Sequence, residues 1–261
     1  MSAVRRLAEM TTGDAAEILP TCGIAVIAVG ATEQHGPHLA LQTDARIAAE
    51  FAELLVGELG DLAVLCPPLP YGVSDHHLRF AGTISLSSNT FVVLLMDVLR
   101  SLHAHGVRRV VIVNGHGGNI ASLAEVSLRA RTELRLPVAS MMWARLAPDV
   151  VDAGSVGPER GHACESETSL ALVLAPDIVR PERIPDPEFV TAFPAAARPP
   201  LGYVDIAADF ADLTTNGVWG HPKAATREFG ERILATAMAR AVAFCRDFVG
   251  WQPSDEPEHR G

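Results

Sequence analysis

Apolar positions along the chain follow two alternating rhythms. Ile24-Ala25-Val26-Ile27-Ala28-Val29 is an unbroken apolar run between Gly23 and Gly30. A short apolar run bounded by turn residues reads as a strand buried on both faces, as in a parallel sheet. From Asp44 to Leu59 the rhythm changes. Ile47, Phe51, Leu54 and Leu55 recur at helical spacing, with Asp44 as the expected N-cap and Gly60 as the C-terminal stop. Leu62 to Cys66 predicts a short strand, followed by a stiff loop through Pro67-Pro68 and Pro70-Tyr71-Gly72. Val92, Val93, Met96, Leu99 and Leu102 predict a helix over Asn89 to His105, ended by Gly106. Val107 to Val113 predicts a second buried strand, Ala121 to Leu134 a helix, and Val138 to Trp143 another strand. Ala147 to Gly161 reads as irregular. Cys164 to Leu174 returns to helical spacing, and Pro222 to Val249 predicts a long final helix. Pro181 to Pro200 reads as a surface arm or loop, and residues 251–261 as a polar tail. Strand and helix alternate without an internal repeat. The expectation is one α/β domain over residues 1–250, its mainly parallel sheet covered by helices on both faces.

Composition and charge narrow the function. The formal net charge is −10, which argues against nonspecific attraction to nucleic acid or to an anionic membrane. No stretch reaches 18 uninterrupted apolar residues, and Met1 to Glu17 lacks an apolar core, so neither a membrane span nor a signal peptide is expected. Cys22, Cys66, Cys164 and Cys245 are far apart and form no C-x-x-C pair, which predicts free thiols in a reducing cytoplasm.

Three polar clusters carry the candidate chemistry. The first, Gly30-Ala31-Thr32-Glu33-Gln34-His35-Gly36-Pro37-His38, follows the first strand and closes at Thr43-Asp44. Ligands in open α/β sheets sit at the carboxyl ends of strands. In an extended segment Glu33 and His35 point the same way, roughly 6–7 Å apart at the backbone. That suits two metals about 3.5–4 Å apart, with Asp44 available to bridge them. The second, Asn114-Gly115-His116-Gly117-Gly118-Asn119, follows the second long strand. A phosphate loop would need G-x-G-x-x-G or a Walker lysine, which this segment lacks, so His116 reads as a metal ligand. The third is Gly161-His162-Ala163-Cys164-Glu165-Ser166-Glu167-Thr168-Ser169, just before a helix, where acids also serve as ordinary caps. Imidazole and carboxylate ligands of this kind suit Zn, Mn, Fe or Co.

These pieces, with Ser74-x-x-His77-x-x-Phe80-x-Gly82-Thr83 and His162-x-x-x-x-Glu167-Thr168-Ser169, resemble the creatininase family of metal-dependent amidohydrolases from about Ile24 to about Gly230. The resemblance implies a three-layer α/β/α sandwich, a homohexamer and two divalent ions per chain, zinc first, with manganese or iron as alternatives. It implies Glu33, Asp44 and His116 on one ion and His35, Asp44 and Glu167 on the other. His162 matches the family's proton-shuttling histidine. His77, Gly117, Gly118 and Asn119 are expected to line the substrate. The chain departs from creatininase proper at Gly118, where a glutamate stands, and at Pro158, where a tryptophan stands, which points away from creatinine. Glu165 is expected to supply the missing proton-handling carboxylate.

The implied activity is hydrolysis of a small-molecule amide, cyclic amide or formamide, through hydroxide generated from water at the two ions. Rivals are a peptidase trimming a modified cofactor precursor of mycofactocin type, a non-catalytic metal-dependent binding protein, and a mononuclear iron oxygenase. Glu165 and Glu167 lie two apart. An extended segment would aim both at the site, whereas a helical one would turn them about 200° apart and admit only one.

Overall fold

The structure, a computed structural model, describes residues 4–194, 197 and 206–251. The far end of the expected surface arm and the tail at 252–261 lie outside the described residues. A short helix, α1 (Thr12–Ile18), precedes β1 (Ile24–Val29). Then come α2 (Thr43–Leu59), β2 (Ala63–Leu65), α3 (Ser88–Ala104), β3 (Val110–Asn114), α4 (Ile120–Leu134) and β4 (Val138–Met141). The rest of the chain is helical or looped: α5 (Trp143–Leu146), α6 (Pro148–Gly154), α7 (Glu165–Leu174) and α8 (Arg227–Gly250).

The four strands are parallel, in the order β2-β1-β3-β4. Every residue of β1 is buried, as its unbroken apolar run requires. Alternate side chains serve opposite layers. Ile24, Val26 and Ala28, with Val111 and Val113, pack toward α2, α7 and α8. Ala25, Ile27 and Val29, with Val110 and Ile112, pack toward α3 and α4. The result is the expected three-layer α/β/α sandwich. After β1 the chain winds outward to β2, then crosses back to β3 on the other side. The switch point therefore lies between the carboxyl ends of β1 and β3, where α/β sheets bind ligands.

Several boundaries differ from the sequence reading. The segment read as irregular contains α6, which opens on Pro148 at its first turn, a position where a missing N–H costs nothing. The strand expected over Val107–Val113 starts only at Val110, because Val107 N–H returns to the Leu102 carbonyl to close α3. The last strand stops at Met141, and Trp143 opens α5. The final helix begins at Arg227, capped by the Thr226 side chain, while Pro222–Ala224 forms a separate tight turn. Asp44 is not an N-cap. The cap position is Gln42, and Asp44 lies inside the first turn of α2 with its carboxylate turned into the protein.

Candidate metal centre

The centre is built where β1, β3 and the start of α2 meet. Gly30 ends β1 and Gly115 follows β3. A Cβ at Gly30 would overlap the backbone of Ala45, and one at Gly115 would overlap the Asp44 carbonyl. These two glycines let the first turn of α2 press against both strand ends, which carries the Asp44 carboxylate between Glu33 and His116.

The donor atoms converge. His116 Nδ1 lies 3.2 Å from Glu33 Oε1 and 3.1 Å from Asp44 Oδ2. His35 Nε2 lies 3.0 Å from Asp44 Oδ1 and 3.8 Å from Glu167 Oε2. Asp44 thus turns one oxygen to each of two histidines. His162 Nδ1 and His77 Nε2 reach Glu33 Oε1 at 3.7 and 3.4 Å. All of these residues are buried. Overlapping sets that satisfy metal-ligand spacing are Glu33-His35-Asp44, His35-His162-Glu167 and Glu33-His77-His162.

Hydrogen bonding fixes the imidazole tautomers. His35 Nδ1–H donates to the Glu33 carbonyl at 3.1 Å, His116 Nε2–H to the Val73 carbonyl at 2.9 Å, and His162 Nε2–H to the Gln34 carbonyl at 2.8 Å. A carbonyl can only accept, so in each ring the other nitrogen faces the centre. Pinning one N–H on a backbone carbonyl is how metal-ligating histidines are oriented. The Gln34 side-chain amide lies 2.9 Å from His77 Nδ1, 2.9 Å from His162 Nε2 and 3.0 Å from the Gly217 carbonyl. It has two hydrogens, and His162 Nε2 already donates elsewhere. Its hydrogens therefore go to His77 and Gly217, and His77 keeps its own hydrogen on Nε2.

The charge balance calls for a cation. Both Glu33 oxygens and Asp44 Oδ2 are buried without a hydrogen-bond partner. Buried carboxylates left so are costly unless a positive charge compensates them. Burial alone would lower the pKa of His116, but Glu33 and Asp44 beside it raise it to about 10. Burial opposes the proton on His35 likewise, and Asp44 and Glu167 push it well above its ordinary value. Asp44 is held low despite burial, by His35 and His116. Glu33 is raised by burial, with His116 opposing. Protons thus stand in where divalent ions fit: the orphaned oxygens, the fixed tautomers and the oxygen-and-imidazole donor set all suit zinc or manganese. By contrast, burial together with His77 and His35 holds His162 well below its ordinary value, so it is neutral. Burial pushes His77 down to about 2.

The expected residues fare differently. Glu33, His35, Asp44, His116, Glu167, His162 and His77 come together. Glu165 does not. Glu165 and Glu167 both lie in the first turn of α7, so the helical alternative holds and they diverge. Glu167 Oε2 faces His35 and accepts the Ala163 N–H at 2.6 Å. Glu165 accepts backbone N–H groups from Val156 at 3.2 Å and His221 at 2.8 Å, tying two loops together away from the centre. Asn119 is tied into the scaffold. Its amide donates to the Gly30 carbonyl and Asn114 Oδ1 and accepts from the Val73 N–H, which makes it a strut between strand ends. Gly117 is exposed, whereas a Cβ at Gly118 would overlap the His116–Val73 hydrogen bond. The His76 ring, stacked on His116 with centroids 5.5 Å apart, crowds the same place. Cys164 is buried and its thiol is pushed up by burial and then by Glu167 and Glu165.

Two contributors escaped the sequence reading. Gln34 sat inside the first motif, but an amide has no ligand signature. Phe210 packs over His77 and His162 with centroids 4.2 and 4.8 Å away, and no motif marks it.

The creatininase family profile, described as creatinine amidohydrolase, matches residues 8–245. The chain belongs to the creatininase family. It is 35% identical over 259 residues to a mycofactocin precursor peptide peptidase of Mycobacterium tuberculosis strain H37Rv, covering 95% of this chain and 93% of that one. It is 32% identical over 244 residues to a creatinine amidohydrolase of Pseudomonas putida, covering 87% of each. Solved creatininases superimpose closely. A point mutant of Zn–Zn type gives a TM-score of 0.77 at 29% identity, covering 95% and 99% of the two chains. A manganese form gives 0.75 at 29% identity, covering 94% and 99%. As a member of the creatininase family the chain is a hydrolase of C–N bonds, and its buried cluster has the residue types and spacing that could hold a metal ion. No described helix is long and apolar enough to cross a membrane.

Proposed function

We propose that this chain is a two-metal amidohydrolase that cleaves a non-protein C–N bond of a small molecule: an amide, cyclic amide or formamide. The observation that carries the reading is the set of three orphaned carboxylate oxygens, on Glu33 and Asp44, facing imidazoles whose other nitrogens are tied to backbone carbonyls. Glu33, Asp44 and His116 would hold one ion. His35, Asp44 and Glu167 would hold the other, with Asp44 shared. When bound, the ions supply Lewis-acid activation of water and of the scissile carbonyl.

The protein supplies the proton path. His162 is neutral, its Nε2–H is held by the Gln34 carbonyl, and its Nδ1 lone pair faces the centre. It can take a proton from the attacking water and return it to the leaving nitrogen. Gln34 fixes His77 through its amide and His162 through its carbonyl, so one residue sets both rings. The burial of the whole cluster, with Phe210 lying over the histidines, keeps bulk water from the reacting bond. Glu165 is reassigned to holding the loops beside His162.

His162→Asn tests this. It should keep two ions per chain and lose roughly 10²–10⁴ in rate on an amide panel. Loss of metal instead would make His162 a ligand. Full activity would remove it from the reaction. A second reading, trimming of a modified cofactor-precursor peptide, is supported by the 35% identity and near-complete coverage with the mycobacterial peptidase. Including such a peptide in the panel separates the two. We also propose a cytoplasmic homohexamer: the four cysteines are unpaired and buried, and the hexamer follows from the family resemblance.

A further inference from the structure

We propose that the cavity beside Glu167 is a pocket for an anionic group, a carboxylate or a phosphate, held by Arg145 and Arg160. Calling that group part of the substrate rests on the hydrolase reading above. The binding itself does not.

The cavity measures about 210 Å³ and is walled by α5, α6 and the segment leading into α7. Glu167 lines it, and the same side chain turns Oε2 toward His35 in the metal centre. A group seated here is thus one carboxylate away from the ions. Its volume suits a fragment of a small molecule.

The lining selects for negative charge. Arg145 and Arg160 both border the cavity. Arg160 spends Nη2 on Asp152 Oδ1 at 2.7 Å, and its side chain is 23% exposed, so it is held in place with other donors remaining. Among the described residues no carboxylate lies within ion-pair distance of Arg145. The Trp143 indole is also part of the wall. Trp143 lines the cavity, is 6% exposed, and its Nε1–H is buried without a hydrogen-bond partner. Buried N–H groups are rarely left so, and each one calls for an explanation. Asp152 is the wall's one carboxylate besides Glu167, and Glu167 is committed to the metal centre. With Asp152 paired to Arg160 and Glu167 turned toward His35, the Arg145 guanidinium is the charge on this wall left without a carboxylate partner among the described residues. The planar fork of arginine matches two anionic oxygens, and an indole face beside it accepts the apolar stem that carries them.

The test is calorimetric titration of the metal-loaded protein with three probes that contain no amide: phenylacetate, phenyl phosphate and the neutral 2-phenylethanol. At least one anion should bind about tenfold or more tighter than 2-phenylethanol. Whichever anion binds tighter names the group. Arg145→Met should weaken that binding by about tenfold, and Arg160→Met by at least as much. Arg145 is exposed, so its variant keeps the fold even if Arg160→Met disturbs the loop through Asp152. Anions that bind no tighter than the alcohol, or binding that Arg145→Met leaves unchanged, would overturn the proposal, the latter by assigning the anion to the metals. Failure of amide hydrolysis would strike the hydrolase reading and leave these titrations unaffected.

Discussion

Asp44→Ala should strip both metal ions in one step. Its two oxygens face different histidines, Oδ1 toward His35 at 3.0 Å and Oδ2 toward His116 at 3.1 Å, so this one side chain serves both halves of the centre. An ion present at a hundred times its dissociation constant stabilises the folded state by roughly 2.7 kcal/mol, so two ions contribute about 5 kcal/mol. For a chain of this size each kcal/mol moves the melting temperature by roughly 2–4 °C. The metal-loaded wild type should therefore melt about 10–20 °C above its chelated form. In Asp44→Ala that gap should close, and metal analysis after gel filtration should find well under one ion per chain. Glu33→Ala makes the contrast, because it should lose mainly one ion and about half of the gap. If Asp44→Ala keeps two ions, or keeps the chelator-sensitive part of its melting temperature, the shared-ligand geometry is wrong.

Glu167→Gln should deplete metal at one site, whereas Glu165→Ala should keep both ions yet leave the Val156 and His221 N–H groups unpaired, at about 1–3 kcal/mol each. Equal metal loss in both variants, read by elemental analysis, would contradict this division. Metal uptake at pH 7 should release protons, because His35 and His116 are both raised above their ordinary values in the absence of metal. Binding heats identical in buffers of different ionisation enthalpy would refute that. In chelated protein the raised pKa of His116 contributes stability that is complete below its ordinary value of 6.5 and lost as pH rises toward about 10. Urea midpoints should fall across that window in wild type and much less in His116→Gln. Light scattering should give a particle several times 27.7 kDa, and a monomer at micromolar concentration would sink the hexamer.

The sequence by itself determined the layers and marked most of the candidate ligand set. An unbroken apolar run such as Ile24–Val29 has one stable place, a strand covered on both faces. Glycine-flanked histidines and acids directly after such strands fall at the carboxyl edge of the sheet, so Glu33, His35 and His116 were legible as candidate ligands. Short helices such as α6 were not, because seven residues carry too little periodicity to separate from a loop. The tertiary structure alone decided direction. The sequence left Glu165 and Glu167 as alternatives two residues apart. Only the start of α7 at Glu165 turned one toward His35 and the other toward the backbone of Val156 and His221. Asp44 read both as a helix cap and as a possible bridge between metals, and the close approach of α2 over Gly30 and Gly115 set its carboxylate between two histidines. Gln34 and Phe210 owe their roles to partners far along the chain, at His162, Gly217 and His77. Local pattern records what a residue can do and which face it takes. Which group it meets depends on contacts between distant segments, and these exist only once the chain has folded.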